Sequence, residues 1–268
     1  MNRLRVLLFE TPEDPYFNLA FEEAFFLAFH RGYVKDSTLR IWRNSNAVVI
    51  GYFQFAEEEV RIDALKRIGA KVVRRFTGGG AVYHDLGNIN YAIVTRKKKY
   101  GTGTLIDNLY KFLLNGTVNA VREMGIEATI ENINDIVAEN RKISGCAAKY
   151  LRDTLFLHGS LLVDTDLSRL ASVLKISKKK LADKGVSSVK YRVATLSSLL
   201  KREISYDEII DSLVKGYSKL LDAEPYFDLP NRKEIKIANR LYEKYMSEEW
   251  NYHRASSARF NDLLKDIL

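Results

Sequence analysis

At 268 residues and 46% hydrophobic composition, the chain is long enough to bury a full core and too apolar to be disordered. A single cysteine, Cys146, excludes an intrachain disulfide and a cysteine zinc cluster. Residues 44–56, the longest charge-free stretch in the first third, are too few and too polar to span a bilayer, and the opening residues lack the apolar core of a secretory signal, so the chain reads as cytoplasmic with no membrane partner. A net charge of +8 and a pI near 9.3 suit a polyphosphate substrate or acidic protein partners, while no aromatic-basic module or recognition helix points to nucleic acid.

Asp14-Pro15 predicts an N-cap with proline in the first helical turn, and Gly32 predicts the helix end. Between them Phe17, Phe21, Phe25 and Phe29 recur at spacing four, a core stripe. Strands are expected at 39–42, 47–52, 71–74 and 90–95, with a short helix over 60–68. A long helix is expected over 105–124, turning Leu105, Leu109, Phe112, Leu113, Val118 and Val121 inward, with Gly116 weakening its middle. Strands return at 128–130, 135–138, 141–143 and 155–163, with Glu139-Asn140 forming a hairpin turn. Ser205 and Asn231 start two further helices, to about Leu221 and through Tyr245. After Ser247 the patterning is weak and no closing element is expected. Strands and helices do not alternate regularly, so the fold class is α/β (α+β) with mixed, largely antiparallel sheets.

One segment stands out chemically. Arg74-Arg75-Phe76-Thr77-Gly78-Gly79-Gly80-Ala81-Val82-Tyr83-His84-Asp85 places three glycines after two arginines. Without side chains the loop's amides can approach an anion or a flat ligand, and the apolar runs at 71–73 and 90–94 predict that it joins two strands. It lacks both the Gly-Lys-Ser/Thr of a P-loop and the spacing of a dinucleotide fingerprint.

Four blocks in order resemble lipoate-protein ligases: 74–90, Asn134-Asp135-Ile136-Val137 with Arg141-Lys142-Ile143-Ser144-Gly145, Phe156-Leu157-His158-Gly159-Ser160, and Asp166-Leu167-Ser168-Arg169-Leu170. Tyr16–Ala20 with Glu22-Glu23, Gly51–Gln54, residues 178–189 and Glu249-Trp250-Asn251 extend the likeness over nearly the whole chain. The resemblance implies the fold shared with biotin ligases and class II aminoacyl-tRNA synthetases, with a bifurcated pocket. It implies a reaction in two steps: ATP and lipoate give lipoyl-adenylate, and the lipoyl group then passes to a lysine of an acceptor domain. Acceptors of this kind are 2-oxoacid dehydrogenase E2 subunits and the glycine cleavage H protein.

On this resemblance Lys142 is the catalytic lysine, stabilising the charge that develops on oxygen in both steps. Arg75, Gly78, Gly79, Gly80, Ala81, Val82 and Tyr83 contact the nucleotide and adenylate, while His84, His158 and Gly159 line the lipoate pocket. Asp135 holds magnesium or orients Lys142; a structural salt bridge is the other reading of it. Cys146, where many ligases have serine, opens an alternative in which a thiol takes octanoyl or lipoyl from a carrier protein. A buried small cysteine is the commoner fate of that residue type. A basic module without catalysis and a biotin ligase are further alternatives. In two-domain ligases a segment like 249–251 leads into an accessory domain. Here residues 1–250 are expected to form the catalytic domain and 251–268 a truncated tail, with a separate small protein assisting activation.

Overall fold

A computed structural model describes residues 2–97, 106–175 and 192–265. Their elements, in chain order, are β1 (Asn2–Leu7), α1 (Pro15–His30), β2 (Ser37–Trp42), β3 (Asn46–Ile50), α2 (Ala56–Glu59), α3 (Ile62–Arg67), β4 (Lys71–Arg74), β5 (Val82–Asp85) and β6 (Asn88–Arg96). Next come α4 (Ile106–Glu123), β7 (Ala128–Glu131), β8 (Asp135–Ala138), β9 (Arg141–Leu151), β10 (Thr154–Leu162) and α5 (Leu167–Val173). The remainder is α6 (Leu196–Leu200), α7 (Tyr206–Leu221), β11 (Ala223–Asp228), α8 (Arg232–Met246), α9 (Glu248–Asn251) and a 3₁₀ segment, Ser257–Leu264.

Among these residues one sheet has eight strands in the order β11-β1-β2-β6-β10-β9-β8-β7. Only the β11-β1-β2 edge is parallel; every other pairing in this sheet is antiparallel, as expected. Period-two alternation sends Tyr91 and Ile93 of β6 to one face, where α4 and α7 cover them. Ala92 and Val94 face the other way, under α1 and α8. A second sheet, β4-β3-β5, packs with α2, α3 and α5 around Val48, Ile50 and Val72.

Helix α1 starts where the sequence says. Asp14 accepts from the Phe17 amide, Pro15 opens the first turn, and Gly32 closes the end with φ +79°. Phe21, Phe25 and Phe29 are buried, each contributing about 1.5–3 kcal/mol by area, while Phe17 is only partly covered. The Glu139-Asn140 turn has φ of 49° and 60°, the left-handed pair of a tight hairpin.

Four expectations are corrected. The glycine loop runs from β4 into β5, a four-residue strand of the small sheet, before the chain crosses to β6. The strand at 141–143 continues to Leu151. The expected helix over 60–68 is present as α3, Ile62–Arg67, whereas β3 stops at Ile50 because the chain turns at Tyr52 and Phe53. Gly116 does not merely weaken α4. A Cβ on Gly216 of α7 would lie 2.2 Å from the Gly116 carbonyl oxygen, so the pair sets how closely the two helices cross. Leu105 and residues 178–189 lie outside the described residues.

Candidate active site

The two arginines before the glycines do different work. Arg74 is fully buried, and its guanidinium donates to the carbonyls of Gly51, Tyr52, Gln54, Trp250 and Asn251. The last residues of α9 therefore clamp the strand that launches the loop; the Trp250 indole returns a 2.8 Å bond to the Arg74 carbonyl. The weakly patterned tail thus supplies a closing element after all, with Trp250 and Asn251 buried.

Arg75 turns under the loop. Its Nη2 donates to the Gly78 and Gly80 carbonyls at 2.7 and 2.9 Å, and its Nε reaches the Thr77 hydroxyl at 3.2 Å. The glycine turn is thus organised by carbonyls folded onto a buried cation. Burial pushes this guanidinium down to about 10, opposed by the nearby Glu22 charge, so it stays protonated at neutral pH. Gly79 has φ +93°, and a Cβ on Gly51 would meet the Gly79 carbonyl oxygen at 2.1 Å, which is why both positions need glycine.

Across the pocket, Lys142 on β9 pairs with Asp135 on β8, Nζ to Oδ1 at 2.6 Å. A register shift between Ile136 and Val137 separates the two strands' pairing on either side of it, a bulge of the kind that re-aims side chains at functional sites. A Cβ on Gly145 would stand 2.6 Å from the Lys142 ammonium, so glycine there makes room for it to lie over the strand. Arg192 approaches the other Asp135 oxygen at 3.9 Å.

Two cavity branches share Gly80, Ala81, Val82, Asn134, Lys142 and Gly145 as lining. The outer branch, about 380 Å³, continues past Tyr83, Asp135, Lys175 and Arg192, three cations against few acids, and its size suits a small ligand. The inner branch is a narrow slot of about 90 Å³ reaching Leu19, Glu22, Trp42 and Asn90 beside His84, His158 and Gly159. Lys142 stands where the branches meet. Gly78 and Gly79 line neither; they border a third, apolar chamber with Tyr110, Ile133 and Ala147. Trp42, Asn90 and Arg192 were not legible as site residues, because a tryptophan ending a strand and an asparagine inside one look like ordinary core and edge positions.

The histidines are held by hydrogen bonds. His158 Nδ1–H donates to Glu22 Oε1 at 2.9 Å, and its Nε2 lies 2.7 Å from the Thr77 hydroxyl. His84 is fully buried with Arg75 and His158 nearby, and desolvation pushes it down to about 3, so it is neutral. The Cys146 thiol is buried beside the Tyr91 hydroxyl at 2.9 Å, and burial raises it to about 11, the opposite of an activated nucleophile.

Magnesium would need oxygen ligands. Asp135 faces two cations, and among the described residues no three His, Cys, Asp or Glu side chains are grouped to hold a metal. Both oxygens of Asp135 are turned to cations, which fits a carboxylate that positions Lys142.

The arrangement is a cation at the junction of a narrow slot and a larger cavity lined by Lys142, Lys175 and Arg192. The family model for the lipoyl protein ligase A/B catalytic domain matches residues 14–218. The chain belongs to the lipoate-protein ligase family. It is 36% identical over 258 residues to "Lipoate-protein ligase A subunit 1" of Thermoplasma acidophilum, covering 92% of this chain and 95% of the relative. A bi-partite lipoate protein ligase, solved in work on its E2 lipoyl domain from the same organism, superposes with a TM-score of 0.84 at 34% identity over 96% of this chain and 98% of that one. The T. acidophilum protein with bound lipoic acid gives 0.81 at 34% identity, over 94% and 100%. A lipoate-protein ligase A bound with ATP gives 0.82 at 33%, over 95% and 100%. This ligase shares their mixed sheet architecture, and among its described residues no helix is long and apolar enough to cross a membrane.

Proposed function

We propose that this ligase activates lipoate with ATP and transfers the lipoyl group to one lysine of a lipoyl acceptor domain, with a separate small protein subunit assisting activation. The observation that carries this reading is the Lys142 ammonium at the meeting point of the two branches, fixed by Asp135 at 2.6 Å. With the acyl chain in the inner slot and the nucleotide in the outer cavity, the lipoate carboxylate attacks the α-phosphorus and pyrophosphate leaves. The acceptor amine then attacks the carbonyl carbon of the mixed anhydride, AMP leaves and the amine's proton goes to solvent. Both steps put negative charge on oxygens that a fixed ammonium can stabilise. Arg75 and the Gly80–Tyr83 backbone complete the adenylate contacts in this reading.

The subunit arrangement is supported by the likeness to subunit 1 and to the bi-partite ligase along nearly their full lengths. The E2 lipoyl domain studied with that ligase supports an acceptor of the same kind, with the glycine cleavage H protein as a further candidate. The cytoplasm, where ATP is available, is the compartment this reading assigns.

The test is the intact mass of a purified E2 lipoyl domain after incubation with this protein, lipoate and magnesium-ATP, beside a tube given preformed lipoyl-adenylate. Modification with the adenylate alone is the expected result. Modification in both tubes would remove the need for an assisting subunit, and modification in neither would overturn the ligase reading.

A further inference from the structure

The buried Arg75 guanidinium is held from outside the glycine loop as well as by it. Besides the carbonyls of Val49, Gly78 and Gly80, one side chain among the described residues accepts from it, the Thr77 hydroxyl, 3.2 Å from Nε. Thr77 Oγ1 in turn lies 2.7 Å from His158 Nε2 on β10, and His158 Nδ1 lies 2.9 Å from Glu22 Oε1 on α1. All four side chains are buried, and the His158 ring packs against Phe76 and Phe156, with centroids 6.3 and 5.1 Å away. A helix, a strand and the loop itself thus contribute to one continuous chain of polar contacts that ends on the cation.

What Arg75 fixes is the direction of the loop's peptide groups. A trans peptide is planar, so its C=O and N–H point opposite ways. With the Gly78 and Gly80 carbonyls turned to Arg75 at 2.7 and 2.9 Å, the N–H groups of Gly79 and Ala81, which belong to the same two peptide units, point away from the cation. Gly80 and Ala81 wall both branches of the cavity, so the direction of this backbone decides what an anion there would meet. Three glycines in a row leave the loop many other conformations, and only a guanidinium that is itself fixed can choose one of them.

We propose that Thr77, His158 and Glu22 are positioning residues: they fix the Arg75 guanidinium, and through it the amide direction of the glycine loop, for binding the phosphate of the lipoyl-adenylate. This rests on the ligase reading above. It gives His158 and Glu22 a task that needs no contact with the acyl chain. Glu22 serves it twice, since its charge also favours the protonated form of Arg75. Cutting one link of a buried polar chain leaves the neighbouring groups unpaired, so the loss exceeds that of a single exposed hydrogen bond.

The experiment measures kcat and KM for lipoyl transfer from preformed lipoyl-adenylate to an E2 lipoyl domain. Thr77→Val keeps the shape of the side chain and removes the hydroxyl, whereas Thr77→Ser keeps the hydroxyl and removes the methyl. Thr77→Val is expected to raise KM for the adenylate about tenfold and to change kcat by less than about threefold, the signature of lost uniform binding. Thr77→Ser is expected to stay within about threefold of the wild type in both. A side chain that only packs would give the reverse order. Glu22→Leu is expected to raise the same KM, and the double variant to be no worse than the worse single one, because a chain cut once is already broken. A wild-type KM in Thr77→Val, the reverse order of the two Thr77 variants, or additive effects in the double variant would each overturn the inference, and the Thr77 pair decides it alone if Glu22→Leu does not fold. No transfer from the adenylate by the wild-type protein would instead count against the ligase reading.

Discussion

Lys142 and Cys146 sit four residues apart on β9 and carry opposite expectations. Lys142→Ala should lower both adenylation and transfer by about 10²–10³-fold, the scale of removing one preorganised charge stabiliser. Its melting temperature should move by only a few degrees, because the Lys142 side chain is partly exposed and Arg192 remains near Asp135. Single-turnover rates with ATP and with preformed adenylate separate the two steps. Cys146→Ser should keep transfer within a few-fold, since a thiol raised to about 11 is protonated at neutral pH; a collapse of transfer would restore the thiol mechanism. His84 sets a pH dependence of stability. The unfolded ring takes a proton as pH falls below about 6.5, whereas the folded one resists until about 3. Stability present above that window is lost as pH falls through it, by about 2–3 kcal/mol between pH 7 and 4.5. Urea unfolding at the two pH values checks this, and the difference should shrink by that amount in His84→Gln.

At the scale of elements, the crossing of α4 and α7 depends on two glycines. Gly216→Ala would drive a methyl against the Gly116 carbonyl and the backbone nitrogen of Ala120, an overpacking that should cost about 1–3 kcal/mol and lower the melting temperature measured by circular dichroism. Sequence read Gly116 only as a weak helix former, since propensity belongs to one chain segment and a close crossing to two. The same distinction separates what was legible from what was not. α1 announced its ends through Asp14, Pro15 and Gly32, and the β8–β9 hairpin through Glu139-Asn140, because caps and turns are local. β5 was hidden because Val82-Tyr83-His84-Asp85 is short and spends its residues on the site. β11 was hidden because Pro225 argues against a strand, although at a sheet edge its missing N–H does no harm. Lys142, Asp135 and the glycine loop were singled out by their motif, and the structure adds that the two Asp135 oxygens are turned to cations. Arg74 carried no signal of its own, since its acceptors are backbone carbonyls at distant positions.

For the whole molecule, the clamp of α9 on Arg74 ties the far end of the chain to the site. Trp250→Ala removes a fully buried side chain and a bond to the Arg74 carbonyl, and should cost about 3–5 kcal/mol. The melting temperature should fall by about 10 °C and transfer activity should fall with it, although Trp250 lines no branch of the cavity. Unchanged activity in a stably folded Trp250→Ala protein would show that the glycine loop needs no support from α9.

That clamp also sets a timetable. Arg74 and Trp250 are 176 residues apart, and Arg5 on the first strand finds Asp228 only 223 residues later. On a ribosome adding about 5–20 residues per second, Arg74 waits roughly 10–35 s for its last acceptors to be made. For that interval Arg74 has the carbonyls of Gly51, Tyr52 and Gln54 but not those of Trp250 and Asn251. The nascent protein is therefore not yet a catalyst, and its ligand pocket takes its final form only after residue 251 has been made.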